Sequence, residues 1–212
     1  MRRVHYNRPW RFSLFLVLVM LTGCASSQPS KFYQLNTVPN KQAPIAGVSF
    51  SRNVVIAIGP VRIPDYLDRP QIVTRSGKNE LKLSEFHRWA GSLEADTSRV
   101  LLENVSSLFP AGSISVERWI SFPASRVPAS LRVEVLVDRF EGTLGHSVLL
   151  KAQWRILAND GNLLLSREAA FTEQMSGSSY DALVAAMSST LARLSLAISE
   201  GIASVLRQSP TK

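Results

Sequence analysis

Few residues in this 212-residue chain are of a type and spacing that could do chemistry. The histidines are His5, His87 and His146, and none has a second histidine or a carboxylate at metal-ligand spacing, so no metal site is predicted. His87, among Phe86, Arg88 and Trp89, reads as a hydrogen-bonded structural residue. Gly145-His146-Ser147 begins like a nucleophile elbow, but Leu149 stands where the closing glycine belongs and the surroundings are those of a hairpin turn. Asp65 and Asp68 are close enough to be considered as an acid and a base. They lie in a proline turn between Arg62 and Arg69, where capping and ion pairing account for them. The glycines are scattered singly and match neither a phosphate loop nor a dinucleotide fingerprint. With this checklist empty, the chain is predicted not to be an enzyme.

The exception is Cys24, the single cysteine. Leu21-Thr22-Gly23-Cys24 follows an apolar run over residues 12–21 and a positive segment holding Arg2, Arg3, Arg8 and Arg11. That is the pattern of a bacterial lipoprotein signal, cleaved before the cysteine. The predicted chemistry is covalent: an S-diacylglycerol and an N-acyl chain on Cys24, with no other cofactor. Each buried methylene contributes ~0.8 kcal/mol to membrane retention, so three chains make a lasting anchor. The apolar run is short of the ~20 residues that span a bilayer, and no later apolar run is predicted to be long enough. Ala25 and Ser26, with no aspartate after the cysteine, favour the periplasmic face of the outer membrane.

Stepwise, the chain divides into a cleaved signal (1–23), a flexible tether (24–31), one domain (32–208) and a disordered tail (209–212). The net charge of +8 includes four arginines of the signal; without them twenty basic residues face sixteen acidic ones. So modest an excess does not call for a nucleic-acid partner. Lacking a second cysteine, the domain has no disulfide and must be held by packing, for which a hydrophobic fraction of 45% is sufficient.

The elements that must position any site follow from periodicity. Strands are predicted at 32–35, 53–61, 71–75 and 80–83, the last two as a hairpin around Ser76-Gly77-Lys78-Asn79. A helix over 86–108, capped by Ser84, would place Trp89, Leu93, Thr97, Val100, Leu101, Val105 and Leu108 on one face. A strand at 113–119 precedes an antiparallel meander at 131–140, 147–157 and 162–173. The last helix carries Tyr180, Val184, Met187, Leu191, Leu194, Ile198, Ile202 and Val205 at helical spacing, with Ser178 and Asp181 as a capping box. Its other face is rich in serine, which suggests cover by the sheet or by another subunit. The order β-β-β-β-α-β-β-β-β-α predicts an α+β fold: a single mixed, largely antiparallel sheet with two long helices packed on it.

The run from Gly59 through Pro64-Asp65-Tyr66-Leu67-Asp68-Arg69-Pro70 to Val73, followed by Asn79, Leu81, Leu83 and residues 85–89, resembles the PqiC family of YmbA-like lipoproteins. These are also described as ABC-type transport auxiliary lipoprotein components. Phe32-Tyr33-Gln34-Leu35, residues 104–110, Phe140-Glu141-Gly142 and Tyr180-Asp181 extend the resemblance. It implies a lipid-anchored, self-assembling docking subunit working beside an MCE-domain protein and membrane or ABC-transporter subunits, in lipid traffic that maintains envelope integrity. On this view Asp65, Tyr66, Leu67 and Arg69 are candidate partner-binding residues, since a rigid proline turn presents pre-organised groups. Equally, Tyr66 and Leu67 could pack into the core. A second functional class is a lipid carrier whose sheet and helices enclose an apolar cavity, and a third is a purely structural envelope lipoprotein.

Overall fold

Apolar residues at every second position from Leu131 to Val137, with Leu136 breaking the polar set between them, build the central strand around which the other elements assemble. In the computed structural model, which describes residues 28–38, 45, 54–119 and 129–208, that strand is β6 (Leu131–Gly142). It pairs along its whole length with β7 (Ser147–Ala158), which pairs in turn with β8 (Leu163–Gln174), both antiparallel. The opposite edge of β6 is shared by two branches. Its first half takes β2 (Val55–Arg62) in parallel, and β2 carries β5 (Ser115–Arg118). Its last residue, Gly142, meets Thr74 of β3 (Gln71–Arg75), which leads to β4 (Leu81–Trp89) and β1 (Lys31–Tyr33). The α+β architecture matches expectation: the long ladders are antiparallel, and parallel pairings join the branches to them.

Helices α1 (Leu93–Ser107) and α2 (Tyr180–Gln208) cover one face of this sheet. Val133, Val135 and Val137 of β6, with Val148, Leu150, Ala152 and Ile156 of β7, are buried at 2% exposure or less. Leu183, Leu191, Leu194, Ile198 and Ile202 of α2 complete this core. On the other face, strand residues alternate outward and are tied by ion pairs such as Lys151–Glu168 at 2.7 Å, the pattern of a sheet with one wet side.

Three local expectations need correction. The first helix begins at Leu93, not near residue 86, because β4 continues through Trp89. Ser84 receives the His87 N–H within that strand, at 3.1 Å, while Ser92 caps the helix by accepting from the Ala95 N–H at 3.3 Å. Phe86, His87 and Trp89 have the aromatic character that suits a pleated surface, and Gly91-Ser92 separates strand from helix. Trp89 is buried, but as the end of a strand, with its N–H on the Pro70 carbonyl. The cap of α2 is Ser179, whose Oγ accepts from Ala182, one residue beyond the expected Ser178.

The third correction concerns α2 itself. Its 29 residues are long and apolar enough to span a bilayer by composition, contrary to the expectation that no later segment is. Here its apolar side is spent on the core. Its serine-rich face is covered within the chain: Ser188, Ser195 and Ser199 are buried, and the Asn104 amide of α1 donates to Ser195 Oγ at 3.3 Å. Each of these hydroxyls donates to the carbonyl four residues earlier, so the small side chains admit α1 without orphaned polar groups. That dryness therefore requires no second subunit. Cys24, the predicted lipidation site, lies outside the described residues, as do the predicted signal, the first part of the tether (24–27) and the tail 209–212.

Candidate functional site

The proline turn is fastened from below. Within it the Leu67 N–H donates to the Pro64 carbonyl at 2.9 Å and Arg69 to Leu67 at 2.9 Å, a tight turn of the kind two flanking prolines favour. Leu67, at 2% exposure, plugs into the core, whereas Asp65 and Asp68 are exposed and Tyr66 and Arg69 are half-buried. The four candidate residues are thus adjacent but face different ways. Tyr66 and Leu67 hold the turn down, and Asp65 is displayed. Neither Asp65 nor Asp68 forms an ion pair with Arg62 or Arg69 among the described residues, contrary to the pairing expected from sequence.

The fastening point is Glu141, whose side chain is completely buried. Its Oε1 accepts from Nε and Nη2 of Arg75 at 3.1 and 2.9 Å, and from Nε and Nη2 of Arg139 at 2.9 and 2.8 Å. Its Oε2 accepts from the Tyr66 hydroxyl at 2.8 Å and the Phe140 N–H at 3.1 Å. Burial alone would raise its pKa. The hydrogen bonds from Arg139, Tyr66 and Arg75, with the Arg139 charge, outweigh that and hold the carboxyl below its ordinary value. For Tyr66, burial and then the bond to this carboxylate push the phenol well up. With both oxygens committed, Glu141 is a structural anion and is not free to act as a base.

Sequence reasoning missed Glu141, Arg75 and Arg139 as a unit. A register shift between Val137 and Arg139 lets Phe140 face the helices while Glu141 turns to the wet side of the sheet. There the proline turn and β3 roof it over. A charged residue between Phe140 and Gly142, where the clean alternation ends, is the signal that was available. Gly142 is also required sterically, since a Cβ there would lie 2.8 Å from both Leu183 Cδ1 and the Ser147 carbonyl.

A second feature marks where the tether meets the domain. Asp96 of α1 accepts the Leu35 N–H at 2.6 Å, and Arg99 Nη2 donates to the Leu35 carbonyl at 2.6 Å and to Asp96 at 2.6 Å. The backbone just after β1 is clamped on both sides while the Leu35 side chain is fully buried. Beside it Tyr33 Oη and His87 Nδ1 are 2.7 Å apart, and His87 stacks on Tyr180 with ring centroids at 3.9 Å. Burial, and then Lys31, lower the His87 pKa. His87 has the structural, hydrogen-bonded role read from sequence, and His146 sits in the 143–146 turn. No group of three or more potential metal ligands occurs among the described residues.

Clefts of about 290 to 370 Å³ open among the described residues, lined in part by charged side chains such as Arg62, Arg75 and Arg99.

Residues 33–199 match the family model of the ABC-type transport auxiliary lipoprotein component. The chain is 22% identical over 188 residues to the intermembrane transport lipoprotein PqiC of Escherichia coli (strain K12), covering 88% of this chain and 94% of that one. The same identity and coverage hold for PqiC of Shigella flexneri. Among solved structures, protein XCC0632 from Xanthomonas campestris superposes with a TM-score of 0.64 at 18% identity, over 84% of this chain and 98% of that one. Another crystal structure, of an uncharacterized protein, gives 0.66 at 21% identity, over 82% and 99%. These structures establish the shared fold.

Proposed function

Since this chain belongs to the family of ABC-type transport auxiliary lipoprotein components, we propose that it is a non-enzymatic docking subunit of an intermembrane lipid transport system. In this proposal acyl chains on Cys24 hold it to the periplasmic face of the outer membrane. The domain then grips an MCE-domain protein that works with membrane or ABC-transporter subunits, and so helps maintain envelope integrity. The observation that carries the docking role is the proline turn: a rigid loop, fixed through Leu67 and Tyr66–Glu141, that presents the unpaired carboxylates of Asp65 and Asp68. A surface whose ordering cost is met before binding loses less freedom on association.

The clamp on Leu35 suits the same role. Seven Cα-to-Cα steps lead from Cys24 to Lys31, a reach of at most ~25 Å at the extended spacing per residue. A load on the anchor would pass through β1 directly into α1 by way of Asp96 and Arg99. Self-association belongs to the proposal as well, and the outer strand β8 with Leu163 and Leu164, 58% and 43% exposed, is the surface it would use. The carrier class gains no support from the interior, which Phe140, Leu150, Ile156, Leu191 and Leu194 fill.

The test is an affinity pull-down of the lipidated protein from gently solubilised membranes, with mass spectrometry of co-purified proteins and lipids. Recovery of an MCE-domain partner supports docking. Recovery of stoichiometric lipid without a transport partner would turn the assignment to the carrier class.

A further inference from the structure

The Glu141 cluster holds more positive charge than it needs. One carboxylate is matched by one guanidinium, yet Arg75 and Arg139 both donate to the same oxygen of Glu141. Their charged groups are thereby fixed side by side, only partly exposed, at 23% and 38%. Above them lies a cleft of about 370 Å³ lined by Arg75, Ser76, Gly77, Lys78, Arg139 and Thr143. Three of these six are cations and none is an acid, so with Glu141 counted the cleft keeps two uncompensated positive charges.

The geometry also leaves donors free to face a ligand. Arg75 uses Nη1 on the Lys78 carbonyl at 2.8 Å, which ties the β3–β4 turn to the rim. Arg139 spends Nε and Nη2 on Glu141, and its Nη1 makes no hydrogen bond among the described residues. Ser76 and Thr143 add hydroxyls. A guanidinium held in place by a buried carboxylate is oriented before the ligand arrives, and planar forks of this kind match the oxygens of a phosphate. We propose that this cleft binds a phosphate group, as a phosphate ester or the phosphate of a phospholipid headgroup. The charge of such a group at neutral pH, −1 for a diester and about −2 for a monoester, fits the excess. The site is separate from the exposed carboxylates of Asp65 and Asp68, and does not depend on the docking role.

The test uses the full lipidated protein in neutral detergent, titrated separately with inorganic phosphate, glycerol 3-phosphate and dihexanoyl phosphatidylglycerol. Amide shifts at residues 76–78 and 143 are followed by NMR. Saturable shifts confined to these residues are expected, weakened about tenfold by Lys78→Glu, an exposed turn substitution that reverses one of the three charges. Arg139→Gln should weaken them as well. Saturation by all three ligands identifies the phosphate group as sufficient, and saturation by the lipid alone identifies a headgroup; either supports the site. Absence of saturation with every ligand overturns it, as does binding that neither substitution changes.

Discussion

The two ends of β6 are built on different physics. From Leu131 to Val137 the strand is a row of buried valines under two helices, with outward residues in solvent. From Arg139 to Gly142 it carries a buried anion, two arginines and a glycine pressed against α2. The first end obeys period two and tolerates any well-shaped apolar side chain. The second depends on one carboxylate satisfying donors from three segments at once, and it is the end that holds the proline turn. Burial of apolar area fixes the sheet, whereas a charge network fixes the surface that would meet a partner.

Removing the network's centre should therefore have the largest effect. Glu141→Ala leaves Arg75, Arg139 and Tyr66 without their acceptor, and a loss of about 3 to 5 kcal/mol is expected in urea unfolding, as for other buried pairs broken on one side. Ile156→Ala, opposite Val133 at the apolar end, should cost about 3 kcal/mol through transfer and cavity terms. If the two losses are similar, the contrast must be sought in their dependence on pH.

There the ends should separate. Because hydrogen bonds hold the Glu141 pKa below its ordinary value of 4.5, its contribution is complete above that value and is lost as pH falls through the lower, folded-state value. The Ile156→Ala difference from wild type should stay constant across this acid range. The Glu141→Gln difference should shrink as pH falls, since wild type loses there what the variant never had. A Glu141→Gln difference independent of pH would break the comparison.

Gly142→Ala tests where the two ends meet. Its Cβ would press on Leu183 and on the Ser147 carbonyl, and overpacking of that kind costs about 1 to 3 kcal/mol. The smallest stability effect is expected for Asp65→Arg, within about 0.5 kcal/mol by thermal unfolding, because that side chain is exposed and unpaired.

How legible each end was in the sequence follows the same division. Val133, Val135 and Val137, the Asp160-Gly161 turn and the three-or-four spacing from Tyr180 to Val205 announce the meander and α2 directly, since periodicity is a local property. The start of α1 was misplaced because Ser84 precedes residues at helical spacing, whereas the strand that actually holds residues 84–89 is set by partners distant in sequence. The pairing of His87 to Trp89 with Lys31 to Tyr33, and of Arg88 with Gln71, extends β4 through those residues. Glu141 was invisible as a hub because its partners, Tyr66 and Arg75, lie 75 and 66 residues away. The proline turn was recognised as a unit, but its division into an inward Leu67 and an outward Asp65 is a matter of tertiary packing.

The most direct test of the docking claim is a quantitative pull-down of lipidated wild type against the Asp65→Arg/Asp68→Arg double variant, after both show the same unfolding midpoint. The account predicts an MCE-domain protein with wild type, and at least about a tenfold lower yield with the variant, as expected when charges at a contact are reversed. Equal capture of that partner by both proteins would contradict the assignment of the proline turn as the docking surface.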